Sequence, residues 1–329
     1  MKYRKFSDLG WNVSEVGLGC WQIGWCWGDL VSEREVRELL KKAVDKGVNF
    51  FDTSDTYGDG RSEKFLAELI KSTSERIFVT TKVGRRVRGT NYTKGYKEKH
   101  IEEFVDRSLI KLGIDCIDLL QLHCPPSEIC AKKETYEMMD EIVKKGKIAH
   151  YGVSVWKISD AMEAIKFPNV KSIQIVFNIF RQKPAKAFLK EAKKRNVAII
   201  ARGPLASGLL TGEINQETKF PENDHRNYNI NGNAFDVGDT FSGVNFEKGL
   251  RAVEKLKGLL PDNFSLTDLA LKWILMHDEV SVVIPGATNK SQVQTNAQVT
   301  DLEDISPLLL PKINSIYDEL IKPDVYNRW

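Results

Sequence analysis

Asp52, Tyr57, Lys82 and His123 stand at or just past the ends of three successive apolar runs, VNFFDTSDTYG, IFVTTK and IDLLQLH. A free phenol, with a pKa of about 10, is a poor proton donor at neutral pH. An ammonium beside it stabilises the phenolate, and a carboxylate beside the ammonium keeps the cation charged and fixed. An imidazole at the same place orients a substrate oxygen or couples to the phenol proton. Together the four side chains suit protonation of a carbonyl oxygen while another group attacks its carbon. No Ser, Cys or Thr is placed as an activated nucleophile, and one His cannot supply a metal cage, so no metal is expected. Taken singly, each residue has a plainer use. Lys82 serves as a Schiff-base lysine or a surface charge, Asp52 as a turn cap, Tyr57 as a packed aromatic and His123 as a structural hydrogen-bonding group. The joint pattern on adjacent strands is the specific signal, because the carboxyl ends of parallel barrel strands carry the chemistry of barrel enzymes.

Positioning such a set requires strands that alternate with helices. The hydrophobic periodicity predicts strands at residues 16–19, 49–52, 77–82, 117–123, 150–155, 172–176, 198–202 and 280–284. It predicts helices at 32–46, 62–71, 101–112, 135–145, 159–166, 185–195, 266–276 and 291–299. Glu33, Glu63 and Glu102 fall near helix starts, Ser32 and Ser62 are N-cap candidates, and Gly47, Gly113 and Gly146 follow helix ends. Eight strand–helix units are the count of a (β/α)8 barrel. A doubly wound sheet is the alternative. Against it, the first glycine cluster, GLGCWQIGWCWG, is rich in tryptophan and does not run straight into a helix, and no composition break marks a second domain. One barrel domain over residues 1–329 is therefore expected. Three pieces lie outside the repeat. Residues 3–16 read as a β-hairpin about Asp8-Leu9-Gly10 that plugs the barrel bottom. Residues 211–246 form an Asn/Asp/Gly-rich excursion, a lid or a disordered loop, followed by an extra helix near 247–259. The stretch from Pro307 to Trp329 carries a further helix and a tail.

Composition narrows the partners. Forty-eight basic against 45 acidic residues leave a net charge of +3, which gives no global attraction to nucleic acid or membrane. MKYRKFSDLGWNV lacks the apolar segment of a secretory signal, and no run approaches the roughly 20 apolar residues of a membrane span. The five cysteines match no C-x-x-C metal pattern, and Cys20 and Cys116 read as small apolar residues near strands. A reduced cytoplasmic protein acting on a small molecule is the resulting expectation.

FDTSDTYGDGRSE, the Lys of TTK and DLLQLH closely resemble the aldo-keto reductase superfamily, as do GLGCW, KIAHYGVS, ARGPLASGLLTG and IPGATNKSQVQTN, in the family's order. The layout is more similar to the bacterial branches and the potassium-channel β-subunit relatives than to mammalian aldose reductases. The resemblance implies the barrel with its N-terminal hairpin. It makes Tyr57 the general acid in reduction, with Lys82 lowering its pKa, Asp52 pairing with Lys82 and His123 positioning the carbonyl. It also implies a nicotinamide dinucleotide as hydride source. Gly19 and Trp21 match positions beside the nicotinamide, with Asp52 in the same cofactor set. Ser154 and Gln174 match its amide anchors, although Val155 stands where the family often has Asn. Gly203, Pro204, Leu205, Ser207 and Leu210 match the pyrophosphate loop. Arg202 replaces a stacking aromatic and either contacts the cofactor or makes a salt bridge at the rim. Gly286, Ala287, Thr288, Gln292 and Asn296 match the adenosine end, with Lys290 nearby. NADP(H) is favoured on family grounds, but Thr288 and Gln292 occupy positions where NADP-specific members carry a cation, so NAD(H) is the alternative.

Trp21, Trp25 and Trp27 are the expected aromatic lining for a sugar or aryl substrate beside Tyr57 and His123. Arg85, Arg86, Arg88, Lys94, Lys97 and Lys99 either attract an anionic or hydroxylated substrate or form a solvated rim. Arg226, Tyr228 and Phe241 are expected ligand contacts from the excursion. Three functions are open: a carbonyl–alcohol oxidoreductase, a cofactor-binding regulatory subunit of the channel β type, and a Schiff-base lyase at Lys82.

Overall fold

A computed structural model describes residues 1–24, 31–87 and 92–329. Strands β1 (Tyr3–Phe6) and β2 (Trp11–Ser14) pair antiparallel, Phe6 opposite Trp11, and form the hairpin. Eight parallel strands follow: β3 (Leu18–Gly19), β4 (Phe50–Asp52), β5 (Phe78–Val83), β6 (Ile117–His123), β7 (Ile148–Val155), β8 (Val170–Val176), β9 (Ala198–Arg202) and β10 (Val280–Val283). Each pairs with the next in chain order. The sheet closes between its first and last members through parallel bridges Val16–Val283 and Gly19–Gly286, reinforced by Gly17 N–H donating to Val283 O at 2.8 Å. The result is a (β/α)8 barrel with an N-terminal hairpin.

Period-2 alternation divides the barrel interior into layers. At the bottom, Phe50, Phe78, Leu119, Ala198, Ile200 and Val282 pack with Phe6 and Val13 of the hairpin, which plugs that end. Further along β4, β6, β7 and β9 the inward position turns polar: Asp52 after Phe50, Gln121 and then His123 after Leu119, Ser154 after Gly152, Arg202 after Ile200, whereas after Val282 it stays apolar at Ile284. Lys82 lies beside Gln121, His123 beside Ser154, and Ser154 beside Gln174 in the register. The polar layer is thus placed by the strand period alone.

The helices cover the outside of the sheet. Ser32 caps the Glu33–Asp45 helix in a reciprocal box with Glu35. Gly47, Gly113 and Gly146 adopt the left-handed backbone expected after helix ends. Ser62 is not a cap. The Arg61–Ser72 helix is entered from Gly60 at φ +88°, and the buried Ser62 hydroxyl instead donates to Cys20 O at 3.0 Å while accepting from Thr53. Glu102 likewise falls outside a first turn, because its helix starts earlier, at Glu98. It pairs with Lys145 and Lys147, each at 2.9 Å. Cys20 is buried as expected, but Cys116 is exposed at the entrance to β6.

Residues 211–246 are described throughout. They include a short helix at His225–Tyr228 and turns at Val237–Asp239 and Phe241–Gly243, and the extra helix runs Phe246–Lys257. The C-terminal helices lie at Leu310–Ile316 and Lys322–Val325, joined by a π turn. Among the described residues no helix is long and apolar enough to cross a membrane.

Candidate active site

Asp52 ends β4 and Lys82 lies one residue from the end of β5, so neighbouring strands bring their tips together. Lys82 Nζ spends its three donors on Asp52 Oδ2 at 2.6 Å, Thr53 O at 2.8 Å and the Tyr57 hydroxyl at 3.2 Å. Asp52 Oδ1 accepts from Gln174 Nε2 at 2.6 Å and Gln121 Nε2 at 3.3 Å. Gln174 Oε1 in turn accepts from Ser154 Oγ at 3.3 Å. Tyr57 follows β4 on a turn where Gly58 takes φ +60°; a Cβ there would lie 1.9 Å from Gly24 O. Only glycine allows this close approach of the two loops. The rings of Tyr57 and His123 meet edge to face at 6.1 Å. His123 Nδ1 is held 3.1 Å from Ser54 Oγ.

Burial and charge set the protonation states. Burial takes Lys82 down, but Asp52 and Tyr57 outweigh it, so the ammonium is favoured. Burial pushes Tyr57 above the ordinary phenol value, with Lys82 pulling against it. The phenol is therefore protonated at rest, and Lys82 moderates the cost of losing that proton. Burial, together with Arg85, Lys82 and Arg202, holds His123 well below its usual range and keeps the imidazole neutral.

A cleft of about 830 Å³ opens above this layer. Its lining takes in Gly19, Trp21, Asp52, Tyr57, His123, Ser154 and Gln174 at one end, then Arg202, Gly203, Pro204, Leu205 and Ser207 along a side. Gly286, Ala287, Thr288, Gln292 and Asn296, from the loop and helix after β10, complete the lining. Lys82 lies beneath the lining and reaches the cleft through Tyr57. Leu210 does not line the cleft but is buried in the hydrophobic core. Lys290 does not line it either: its ammonium sits 2.7 Å from Glu38 of the Glu33–Asp45 helix. Thr288 N–H and hydroxyl both bond Gln292 Oε1, at 2.8 and 3.1 Å. Trp25, Trp27 and Arg88 lie outside the described residues.

Arg85 lines the cleft and stacks over Trp156, whereas Arg86 donates to Asp55 O and pairs with Asp59. Lys94, Lys97 and Lys99 are exposed. From the excursion, Arg226, Tyr228 and Phe235 reach the cleft, while Phe241 is buried behind it. Trp21 packs against His225 at 5.1 Å and Phe235 at 6.2 Å, so the excursion roofs the first loop.

Sequence reasoning missed Asp239, which lies on that excursion. Arg202 makes a salt bridge to it at the rim and also donates to Val155 O. Trp156 Nε1 holds the other carboxylate oxygen at 2.8 Å. Ser207, left-handed at φ +55°, accepts from Phe241 N–H and donates to Asp239 O. Ala206 and Gly208 are also left-handed, and their N–H groups donate within the loop, to Gly203 O at 3.2 Å and Leu205 O at 2.9 Å. Gln121 and Ser54 were missed too. Gln121 was findable, because it lies two residues before His123 on an otherwise apolar strand and so shares its face.

Residues 15–318 match the model of the Aldo/keto reductase family, and the chain belongs to that family of oxidoreductases. Among curated relatives it is similar to the aldo-keto reductase YhdN of Bacillus subtilis, 30% identical across 94% of each chain. It is also similar to a probable voltage-gated potassium channel subunit beta of Arabidopsis thaliana, 30% identical over 99% of this chain and 100% of the relative. Among solved structures, a Bacillus halodurans aldo-keto reductase in its holo form superposes with a TM-score of 0.76 at 27% identity, covering 100% of this chain and 99% of the other. A Gluconobacter oxydans glycerol dehydrogenase gives 0.77 at 27% identity, covering 100% and 97%.

Proposed function

We propose that residues 1–329 form one catalytic domain, acting in the cytoplasm, that interconverts a small aldehyde, ketone or keto-sugar and its alcohol with NAD(P)(H). The observation that carries this reading is the single ammonium of Lys82 shared between buried Asp52 and the Tyr57 hydroxyl on the floor of the cleft. Tyr57 gives its proton to the substrate oxygen in reduction and takes it back in oxidation. Lys82 stabilises the resulting phenolate, and Asp52 holds Lys82 in place. His123 aims the substrate oxygen.

The cleft fits a dinucleotide. Its lining includes the loop Gly203, Pro204, Leu205, Ala206, Ser207 and Gly208, whose small residues let a pyrophosphate approach the backbone closely. Ser154 and Gln174 supply amide-binding groups at the Tyr57 end. Thr288, Gln292 and Asn296 would hold the adenosine end. When bound, the dinucleotide supplies the hydride that the four side chains lack. NADP(H) is the family-favoured form, and a relative from Schizosaccharomyces pombe carries NADP(+) in its name. The pairing of Lys290 with Glu38 leaves NAD(H) a strong competitor.

The test is reduced-nicotinamide oxidation with a panel of aldehydes and ketosugars. Tyr57→Phe is expected to lower turnover about 10²–10⁴-fold, the span of one positioned proton donor. Absence of turnover in either direction across the panel would refute the reading. A second reading, a cofactor-binding regulatory subunit, is favoured by the full-length likeness to the Arabidopsis channel subunit. It requires tight dinucleotide binding without turnover.

A further inference from the structure

Behind His123 lies a hydrogen-bonded chain that the proposed reaction does not use. Ser54 Oγ sits 3.1 Å from His123 Nδ1 and 3.2 Å from Asp55 Oδ1. The hydroxyl has one proton and can give it to His123 Nδ1, to Asp55 Oδ1 or, more distantly, to Lys82 O at 3.4 Å; it shares a bond of either direction with the Thr56 hydroxyl at 3.0 Å and accepts from Thr56 N–H at 3.3 Å. Ser54 and Asp55 are both fully buried, and Asp55 Oδ2 has no protein partner among the described residues. We propose that Asp55, acting through Ser54, sets which ring nitrogen of His123 carries the proton. Both are positioning residues that decide whether the histidine presents a donor or an acceptor to the cleft.

The bookkeeping of protons is closed. When Asp55 is protonated, its O–H donates to Ser54 Oγ. The Ser54 proton then turns to His123 Nδ1, and the neutral ring keeps its hydrogen on Nε2. When Asp55 is ionised, the Ser54 proton turns to the carboxylate. His123 must then donate from Nδ1 to Ser54 Oγ, and Nε2 is left as a bare acceptor. Only the first arrangement lets His123 donate to a carbonyl oxygen, which is the role assigned to it in the proposed reaction; this part of the inference rests on that reading.

The surroundings put the switch near neutrality. Burial and Glu63 of the Arg61–Ser72 helix push Asp55 up to about 7. Arg86, from the loop after β5, and Arg107, of the Glu98–Leu112 helix, oppose them. Both donate to the main-chain Asp55 O, at 2.7 and 3.4 Å, and both also pair with Asp59. Tyr96 also faces Asp55, and it is held neutral by burial. Around His123 stand Arg85, Lys82, Arg202 and Tyr57, and burial with the three cations keeps the ring neutral through the same range.

Nitrogen-15 shifts of the His123 ring, read in ligand-free protein with labelled histidine between about pH 5 and about pH 9, separate the two tautomers. The Nε2–H form is expected to dominate at the acid end and the Nδ1–H form at the alkaline end. Asp55→Asn should hold the Nε2–H form throughout, and Ser54→Ala should abolish the pH response. An unchanged tautomer across the range in the parent protein, which needs no variant to fold, overturns the proposal. So does a transition that persists in a folded Asp55→Asn variant. The measurement needs no turnover, so a failure of carbonyl reduction would refute the proposed function while leaving this assignment standing.

Discussion

Replacing Lys82 by Met tests the buried centre most directly. The Lys82 side chain is 1% exposed and that of Asp52 4% exposed, so the substitution strands a carboxylate that is almost wholly buried at the cleft floor. Asp52 Oδ1 keeps Gln174 and Gln121, but Oδ2 loses its 2.6 Å partner. Breaking a buried pair from one side costs about 3–5 kcal/mol, chiefly because the remaining charge is uncompensated. For a chain of this size that corresponds to a fall of roughly 4–7 °C in Tm. Adding Asp52→Asn removes the stranded charge, so the double variant should regain about 2 kcal/mol over Lys82→Met alone. The exposed Arg34–Glu38 pair supplies the contrast, since Arg34→Ala should cost under about 1 kcal/mol. Urea unfolding followed by circular dichroism and tryptophan fluorescence reads all four proteins. If Asp52→Asn deepens the loss in Lys82→Met instead of relieving it, the charge argument is wrong.

Other expectations concern the loops and the second carboxylate. Arg202→Met leaves Asp239 buried with Trp156 as its remaining side-chain donor among the described residues. Amide hydrogen exchange should accelerate across residues 236–243, and dinucleotide affinity should weaken about tenfold or more, or about 1.4 kcal/mol. Unchanged exchange would detach Arg202 from the roof. Gly58→Ala puts a methyl against Gly24 O, so about 2 kcal/mol or more of stability should be lost along with turnover, as Tyr57 shifts. Equal stability and activity would show that the loop yields freely. Asp55 holds its proton to about pH 7 when folded but releases it near its ordinary value of 3.8 when unfolded. The folded state therefore binds the extra proton between those values, and stability falls as pH rises from 3.8 toward 7. The loss is on the order of 4 kcal/mol, and Asp55→Asn should escape it, gaining on the parent across that window. Parallel stability–pH curves would contradict the assignment.

The barrel was legible because its strands are short, apolar and bounded by polar tips. The bounds of β6 and β9 agree residue for residue with the sequence reading, and the other six strands differ by one or two residues at one end or both. The same periodicity places Asp52, Lys82, His123, Ser154 and Gln174 in one polar layer. What escaped was pairing between distant segments. Nothing in a run of Asn, Asp and Gly signals that Asp239 will meet Arg202, or that Glu38 will take Lys290 away from the cleft. Ser62 has the residue type of a cap, yet Gly60 already supplies the turn, so the hydroxyl was free to be buried against Cys20 O. Cys116 follows its loop to the surface, which a strand-adjacent cysteine does not announce.

The closing seam of the barrel has a consequence for how the protein is made. Arg4 reaches 276 residues along the chain to donate to Val280 O at the start of β10, and Gly19 is bridged to Gly286 past the other end of that strand. The hairpin at the barrel bottom and the first loop of the cleft are therefore both held by the last strand of the sheet. Pairing across such a separation is entropically late and slow. A chain released before β10 would hold most of its core but lack both the part of the cleft lining that follows β10 and the clasp on its first loop. Dinucleotide binding should thus appear abruptly at the final stage of folding, which makes it a reporter of chain completion as well as of activity.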